Sequence, residues 1–151
     1  MAAGTINQTC VKDAAIPIAA NARYRSALNV VEQAHSRAES INIVVGNAGV
    51  NPYFGLISTT TNLAYEKIII TSVQTNLWLS QLTVPDMIKK GLSSVICTAS
   101  IPALKPFEQL RIYGMSKLSL IGLMSNLTED FGPKEVRFNA ICPRLIKAEI
   151  A

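Results

Sequence analysis

Three short apolar runs, separated by long segments of helical character, limit what this chain can fold into. The runs are Ile41 to Val45, Ser94 to Thr98 and Val136 to Cys142. Each is too short for a typical helix and rich in Val or Ile, as buried strands are. Between them, apolar residues recur at helical spacing over Asn62 to Lys90 and over Tyr113 to Phe131. Strands that alternate with helices predict an α/β domain with a parallel sheet.

The N-terminal part of the chain carries a weaker pattern. Arg23 to Arg37 has apolar residues at helix-like spacing, and Ala14 to Ala19 is a possible fourth strand that Pro17 weakens, because proline cannot donate to a strand ladder. We find no repeat or linker, so we expect one domain over residues 1–151, with residues 1–13 poorly ordered. A chain of this length can bury a substantial core.

Composition and charge exclude several classes of function. The formal charge of +4 comes from scattered Lys and Arg, which predicts no nucleic-acid partner. Cys10, Cys97 and Cys142 form no Cys-x-x-Cys pair, which favours a reducing compartment and predicts no metal site. No apolar run approaches the roughly 18 residues of a membrane span. We therefore expect a cytoplasmic protein without a membrane partner.

The residues that follow each apolar run are the unusual ones. Gly46-Asn47-Ala48-Gly49 follows the first run, Ala99-Ser100 the second and Pro143-Arg144 the third. In an open parallel sheet the ligand crevice lies outside the carboxyl ends of the strands. These three segments are therefore the predicted binding site.

Tyr113 and Lys117 are the strongest candidates for chemistry. Their spacing of i and i+4 places both side chains on one helix face. A cation there favours the tyrosinate, although one charge at 4 Å supplies only about 1 to 4 kcal/mol. A second cation, such as an oxidised nicotinamide ring, would help, so the pair makes most sense beside such a cofactor. Ser100 could hydrogen-bond the same substrate oxygen.

Several motifs together resemble one protein family. Residues 41–49 resemble a strand followed by the Asn-Asn-Ala-Gly motif of short-chain dehydrogenases/reductases, and Val50 to Gly55 continues the match to carbonyl reductases of that family. Tyr113 to Lys117 resembles the active-site motif, and Val136 to Pro143 the sixth strand. Each motif is weak alone, and the combination is specific.

The resemblance implies a fold and an activity. The fold would be a partial, doubly wound, Rossmann-like parallel sheet with three α/β/α layers, lacking its first strands. The activity would be hydride transfer between NAD(P)H and a carbonyl or alcohol substrate, with Tyr113 as general acid/base, Ser100 polarising the carbonyl and Lys117 holding the nicotinamide ribose. The implied cofactor-binding positions are Asn47, Ala48, Gly49, Tyr113, Lys117 and Pro143. Helices 62–90 and 113–131 would form a homo- or heterodimer interface.

The chain also departs from the family pattern. The glycine-rich turn that receives the pyrophosphate is not found, because the only glycine before Gly46 is Gly4. Ile16-Pro17-Ile18 resembles the third strand, so the first two strands are expected to be absent. The Ile41 to Val45 strand would then expose an unpaired apolar edge.

Single positions within the site differ as well. Ser72 stands where the family has an active-site asparagine, Arg144 replaces a glycine after Pro143, and Ala148 replaces a threonine. His35 is expected to be solvated, and Cys97 and Cys142 to be buried within strands.

Three interpretations remain open from the sequence. The chain can be a truncated version of an active oxidoreductase, or an inactive relative that pairs with a full-length homologue. It can also be a decayed product that folds poorly.

Overall fold

A three-stranded parallel sheet forms the centre of the computed structural model, which describes residues 6–8, 14–25, 29–38 and 40–144. The strands are β1 (Ile43–Gly46), β2 (Ser93–Thr98) and β3 (Val136–Ile141), in the order β1-β2-β3. Both pairings are parallel, and they align Val44, Val95 and Phe138 across the sheet. The predicted parallel α/β fold is confirmed, with the strand bounds shifted by one or two residues.

Among the described residues, four helices of six or more residues accompany the sheet. They are α1 (Val30–His35), α2 (Asn62–Ile69), α3 (Thr75–Lys90) and α4 (Arg111–Phe131). A π-helical turn, Ile70–Gln74, joins α2 to α3, so the predicted helix over 62–90 is continuous but locally widened. The Thr61 side chain accepts a hydrogen bond from the Ala64 amide at 3.2 Å and so caps the start of α2.

The hydrophobic core lies between one face of the sheet and helices α3 and α4. Side chains alternate between the two faces of a strand, so Val95, Cys97, Val136 and Phe138 point to the same side. They form one buried cluster with residues of the two helices, namely Val84, Met87, Leu120, Met124 and Leu127. Val44 packs against this cluster from β1. The sheet is therefore anchored by helices on this face.

None of the residues that the structure describes pairs with the outer edge of β1, and the β1 side chains on the opposite face of the sheet are largely uncovered. Within the described ranges β1 pairs only with β2, and its side chains Ile43 and Val45 are 65% and 58% exposed. The expected unpaired apolar edge is therefore present in the structure. The second helical layer of a three-layer fold does not occur among the residues that the structure describes, which is consistent with a partial Rossmann-like fold.

Two predictions about the N-terminal part were wrong. Residues 14–20 form no strand, since Pro17 cannot donate to a ladder and no strand lies beside this segment among the described residues. The helix predicted over Arg23 to Arg37 is reduced to Val30–His35 among the described residues, because residues 21–24 form a turn and residues 26–28 lie outside them. Of residues 1–13, only 6–8 are described, and these are helical.

Gly46 is required where β1 meets α3. A Cβ added at this position would overlap the Asn76 side-chain amide. We therefore expect Gly46→Ala to lower the free energy of unfolding by roughly 1–3 kcal/mol, as overpacking does in a close-packed interior, when measured by urea denaturation.

The matched control is Gly122→Ala on α4. Nothing lies within 4 Å of the Cβ that this change would add. It should stabilise the chain by about 0.5–1 kcal/mol, because alanine favours a helix more than glycine does. Equal effects of the two substitutions would show that β1 does not pack against Asn76 as described.

Candidate active site

The loops that follow β2 and β3 are joined by backbone hydrogen bonds. The Ala99 amide donates to Ile141 O at 2.8 Å, and the Ile101 amide donates to Pro143 O at 3.2 Å. Ser100 lies between these two donors in an extended conformation, with φ −172° and ψ 159°. Two of the predicted site residues, Ser100 and Pro143, are therefore held at the same end of the sheet.

A close helix contact places Tyr113 beside the loop that contains Ser100. Gly114 lies against the short 3-10 turn Ile101–Ala103, and a Cβ at Gly114 would come within 2.7 Å of Pro102 O. Gly114 lets α4 approach this turn closely. The N-terminal turn of α4, which carries Tyr113, is thereby set against the segment that follows Ser100.

Lys117 is buried at the end of β2. Its side chain is 3% exposed, and its ammonium group donates a hydrogen bond to Thr98 O at 2.7 Å. Nζ lies 5.6 Å from the centroid of the Tyr113 ring. Burial lowers the pKa of Lys117, and the nearby Cys97 opposes this by raising it. The structure thus brings together the tyrosine and lysine predicted from their spacing.

Gly49 brings the loop after β1 to the same point. A Cβ added at Gly49 would lie 3.0 Å from Lys117 Nζ and 3.7 Å from Ser72 Oγ. Without a side chain at Gly49 the backbone passes this close to the lysine with no shift of its ammonium group. Gly49, Ser72 and Lys117 therefore converge, although they come from three separate segments of the chain.

Ser72 occupies the middle of the π-helical turn. π-helical turns are rare and frequently lie at functional sites. Ser72 is completely buried, and its hydroxyl is without a hydrogen-bond partner in the structure. Its carbonyl accepts a hydrogen bond from Asn76 Nδ2 at 2.6 Å. Sequence reasoning identified the position of Ser72, but the hydrophobic pattern carried no signal for the widened turn.

Asn76 is a site residue that the sequence did not reveal. Its amide group bonds Ser72 O and also accepts a hydrogen bond from Cys97 Sγ at 3.2 Å. It therefore links the π-helical turn to β2 beneath Gly46. No motif includes Asn76, so only the spatial arrangement identifies it.

Asn47 and Ala48 border a small cavity of about 140 Å³. Ala20 and Ala22 line the same cavity. The Thr75 hydroxyl donates to Ala22 O and ties this segment to α3. The cavity is small beside the roughly 300–1,000 Å³ of typical ligand pockets.

The predicted site therefore divides into two groups. Gly49, Tyr113 and Lys117 gather at the end of β2, and Ser100 and Pro143 lie in the two adjoining loops that are bonded to each other. Asn47 and Ala48 line the cavity beside β1. Arg144 is exposed after Pro143. Ala148 lies outside the described residues.

His35 lies elsewhere, where α1 meets α3. Its Nε2 is 3.5 Å from Asp86 Oδ2, so it is partly buried beside a carboxylate rather than freely solvated. Lys89 hydrogen-bonds Asp86 at 2.8 Å and lowers the pKa of that carboxyl. Among the residues described, no three His, Cys, Asp or Glu side chains cluster as metal ligands would. None of the described helices is long and apolar enough to cross a membrane.

Comparison with known proteins identifies the family. A sequence model of the short chain dehydrogenase family matches residues 2–151. Dehydrogenase/reductase SDR family member 4 of Sus scrofa is 37% identical over 111 residues, which are 74% of this chain and 40% of that protein. The protein of the same name from Oryctolagus cuniculus is 38% identical over 111 residues, 74% of this chain and 43% of that protein. The chain thus spans well under half the length of these curated relatives.

Solved structures share the fold. A 3-ketoacyl-(acyl-carrier-protein) reductase from Brucella melitensis, complexed with NADH, superposes with a TM-score of 0.87 over 94% of this chain and 58% of that chain, at 22% identity. A short-chain dehydrogenase from Streptomyces avermitilis gives a TM-score of 0.87 over 95% of this chain and 52% of that chain, at 19% identity. The chain belongs to the short-chain dehydrogenase/reductase family, and its resemblance to that family is confirmed.

Cys97 should make the stability of the chain sensitive to alkaline pH. Burial raises the pKa of this thiol from 9.0 to about 11, and Lys117 partly opposes the shift. The folded state keeps a proton that the unfolded state releases, so this stabilisation is complete below pH 9.0 and is lost as pH rises towards 11. We expect Cys97→Ala to lose less stability across this window than the wild type, as measured by urea denaturation.

Urea denaturation of both proteins at pH 7 gives the free energy of unfolding lost to the cavity that Cys97→Ala leaves. This packing cost is the same at each pH, so any change in the difference at alkaline pH comes from ionisation of Cys97. Lys117 has the opposite effect on stability, because its lowered pKa makes its charged form less favourable in the folded state than in the unfolded state. It is present in both proteins. Identical pH dependence of the two proteins would contradict the buried, protonated state of Cys97.

Cys142 is the second cysteine that the structure describes, and its predicted position was wrong. β3 ends at Ile141, so Cys142 follows the strand and is only partly buried.

Proposed function

We propose that this chain carries the catalytic half of an NAD(P)-dependent oxidoreductase that acts on a carbonyl or alcohol substrate. The observation that supports this most strongly is the burial of the Lys117 ammonium between Thr98 O and the Tyr113 ring. Gly49 passes directly beside it. A buried cation next to a tyrosine can stabilise the tyrosinate that remains after the tyrosine gives its proton to a substrate oxygen.

Tyr113 is the proposed general acid. In reduction, its hydroxyl donates a proton to the carbonyl oxygen as that oxygen gains negative charge, and Lys117 stabilises the tyrosinate that remains. The attraction between these charges is stronger in a partly buried site than in water. Ser100, at the end of β2, would donate a hydrogen bond to the same oxygen. For alcohol oxidation the same groups act in reverse.

The described residues fit one part of a nicotinamide cofactor well. Tyr113 and Lys117 would hold the nicotinamide ribose, with Gly49 leaving room beside Lys117 and Pro143 on the neighbouring loop. Asn47 and Ala48 would border the ribose on the adenine side. Once bound, the nicotinamide would supply or accept the hydride. The 140 Å³ cavity is small beside typical ligand pockets, and no glycine-rich turn that could receive the pyrophosphate occurs among the described residues.

Cofactor binding is therefore the first test of the proposal. Titration of the purified chain with NADH and NADPH, followed by nucleotide fluorescence and calorimetry, should show saturable binding of at least one of them. A chain that melts cooperatively yet binds neither nucleotide at millimolar concentration would leave no basis for the enzyme proposal.

Tyr113→Phe should abolish turnover without weakening the fold. Removal of a general acid typically costs roughly 10²–10⁴ in rate. We expect this loss in NAD(P)H oxidation with a carbonyl substrate, and unchanged nucleotide affinity, since the ring remains in place.

The matched control is Tyr65→Phe, which changes an exposed tyrosine on α2. Its turnover should equal that of the wild type. Full activity of Tyr113→Phe would show that another group supplies the proton.

A second candidate function is pairing with a full-length homologue. The exposed face of α4 carries Met115 and Leu118, which are 38% and 53% exposed, and Gly122 leaves open space on this helix. α2 and α3 add Leu63 and Leu77 to the exposed apolar surface. Such a surface suits the dimer interface proposed for helices 62–90 and 113–131. Ser72 stands where the family has an active-site asparagine, and Arg144 where it has a glycine. Both departures lie at the site and favour this inactive alternative.

Leu118→Glu tests the pairing surface. Mixed with a full-length homologue, the wild-type chain should give a mixed dimer on size exclusion, and Leu118→Glu should weaken it at least about tenfold because it buries an unpaired charge. Leu104→Glu, in an exposed loop before α4, is the control and should pair normally. Two unmixed peaks with the wild-type chain would exclude this function.

The cytoplasmic location predicted from the cysteines remains part of the proposal. It would keep Cys97 and Cys142 as thiols, as they are in the structure.

A further inference from the structure

The ammonium group of Lys117 is buried with most of its hydrogen-bonding capacity unused. An ammonium has three N–H donors, and Thr98 O, at 2.7 Å, is the single acceptor that bonds this one within the described part of the chain. The Tyr113 ring, whose centroid is 5.6 Å from Nζ, presents its π-face rather than an oxygen. Lys117 is only 3% exposed, so bulk water has little access to it. The remaining N–H groups therefore need another partner.

The Ser72 hydroxyl faces the same place. It is buried and has no hydrogen-bond partner in the structure. The position that a Cβ of Gly49 would take lies 3.0 Å from Lys117 Nζ and 3.7 Å from Ser72 Oγ. The ammonium and the hydroxyl therefore border one space beside Gly49. Buried polar groups that the protein itself leaves unpaired are usually satisfied by a water molecule or an ion.

Local charge decides between these two occupants. The ion pairs among the described residues all involve Asp86, so no carboxylate in this part of the chain contacts Lys117. Cys97 is the ionisable group that interacts with the ammonium, and burial raises the pKa of its thiol to about 11, so it is uncharged at neutral pH. Buried charges are normally paired. An anion would balance the charge of Lys117, whereas a water molecule would not.

We propose that Lys117 Nζ and Ser72 Oγ bind a small monovalent anion, such as chloride or formate, beside Gly49. Both groups donate hydrogen bonds to it, and hydrogen bonds between charged partners are the stronger ones. Both side chains are almost fully buried, which limits the site to an anion of a few atoms. The proposed function gives the same ammonium to the nicotinamide ribose, so the anion would compete with the cofactor.

Chloride binding can be measured without any nucleotide. At constant ionic strength and neutral pH, sodium chloride replaces sodium gluconate, whose anion is too large for an enclosed site. The chain should broaden the chlorine NMR signal of the solution, because bound chloride relaxes faster than free chloride. At about ten times its dissociation constant, chloride should also raise the Tm of the chain by roughly 3–6 °C.

Two substitutions locate the site. Lys117→Met should abolish both effects, because it removes the charge and nearly keeps the length of the side chain. Ser72→Ala should raise the chloride dissociation constant about tenfold, since one hydrogen bond to a charged group is lost. The matched control is Lys89→Met, which removes an ammonium whose side chain is 78% exposed and should leave both effects unchanged. Circular dichroism checks each fold, and Ser72→Ala carries the test if Lys117→Met does not fold.

Two results would overturn the proposal. A wild-type chain whose Tm and chlorine signal do not respond to chloride would show that water occupies the space beside Gly49. A response that Ser72→Ala leaves unchanged would show that chloride binds elsewhere on the chain. Either result, found with a chain that still binds NADH, leaves the proposed function standing, so the two failures are distinguishable.

Discussion

The parallel pairing of β2 with both of its neighbours is the constraint on which the rest of the structure depends. It sets Gly46, Cys97 and Ala140 level across the sheet. Because all three strands run in the same direction, their carboxyl ends open at one edge, and the loops that follow them meet there. Gly49, Ser100 and Pro143 belong to these loops. Ser72 and Asn76 come from the π-helical turn and α3, and α4 supplies Tyr113 and Lys117 through its contact with the end of β2.

The end of β2 is also where packing and chemistry meet. Lys117 extends from α4 to Thr98 O, and Cys97 donates to Asn76 from the same strand. The ammonium loses hydration on burial and gains only one carbonyl partner in return, which is why its pKa is lowered. Ionisable side chains desolvated in this way cluster at functional sites, which is why Lys117 is central to the proposed site.

The same sheet explains what the chain leaves exposed. Helices α3 and α4 cover one face, where Leu120 and Met124 pack against Val95 and Val136. The other face and the outer edge of β1 expose Ile43 and Val45. Unpaired apolar edges of this kind readily accept another strand.

The sequence alone determined the parallel α/β fold, the strand positions to within two residues, and the Tyr113–Lys117 pair, because each of these depends on local periodicity or on spacing along one helix. Only the tertiary structure decided that Gly49 and Ser72 meet Lys117, that Asn76 bonds the π-helical turn and β2, and that Ala14 to Ala19 forms no strand. The reason is physical: contacts between distant segments depend on how helices settle on the sheet, and a strand exists only when another strand is beside it to complete its hydrogen bonds.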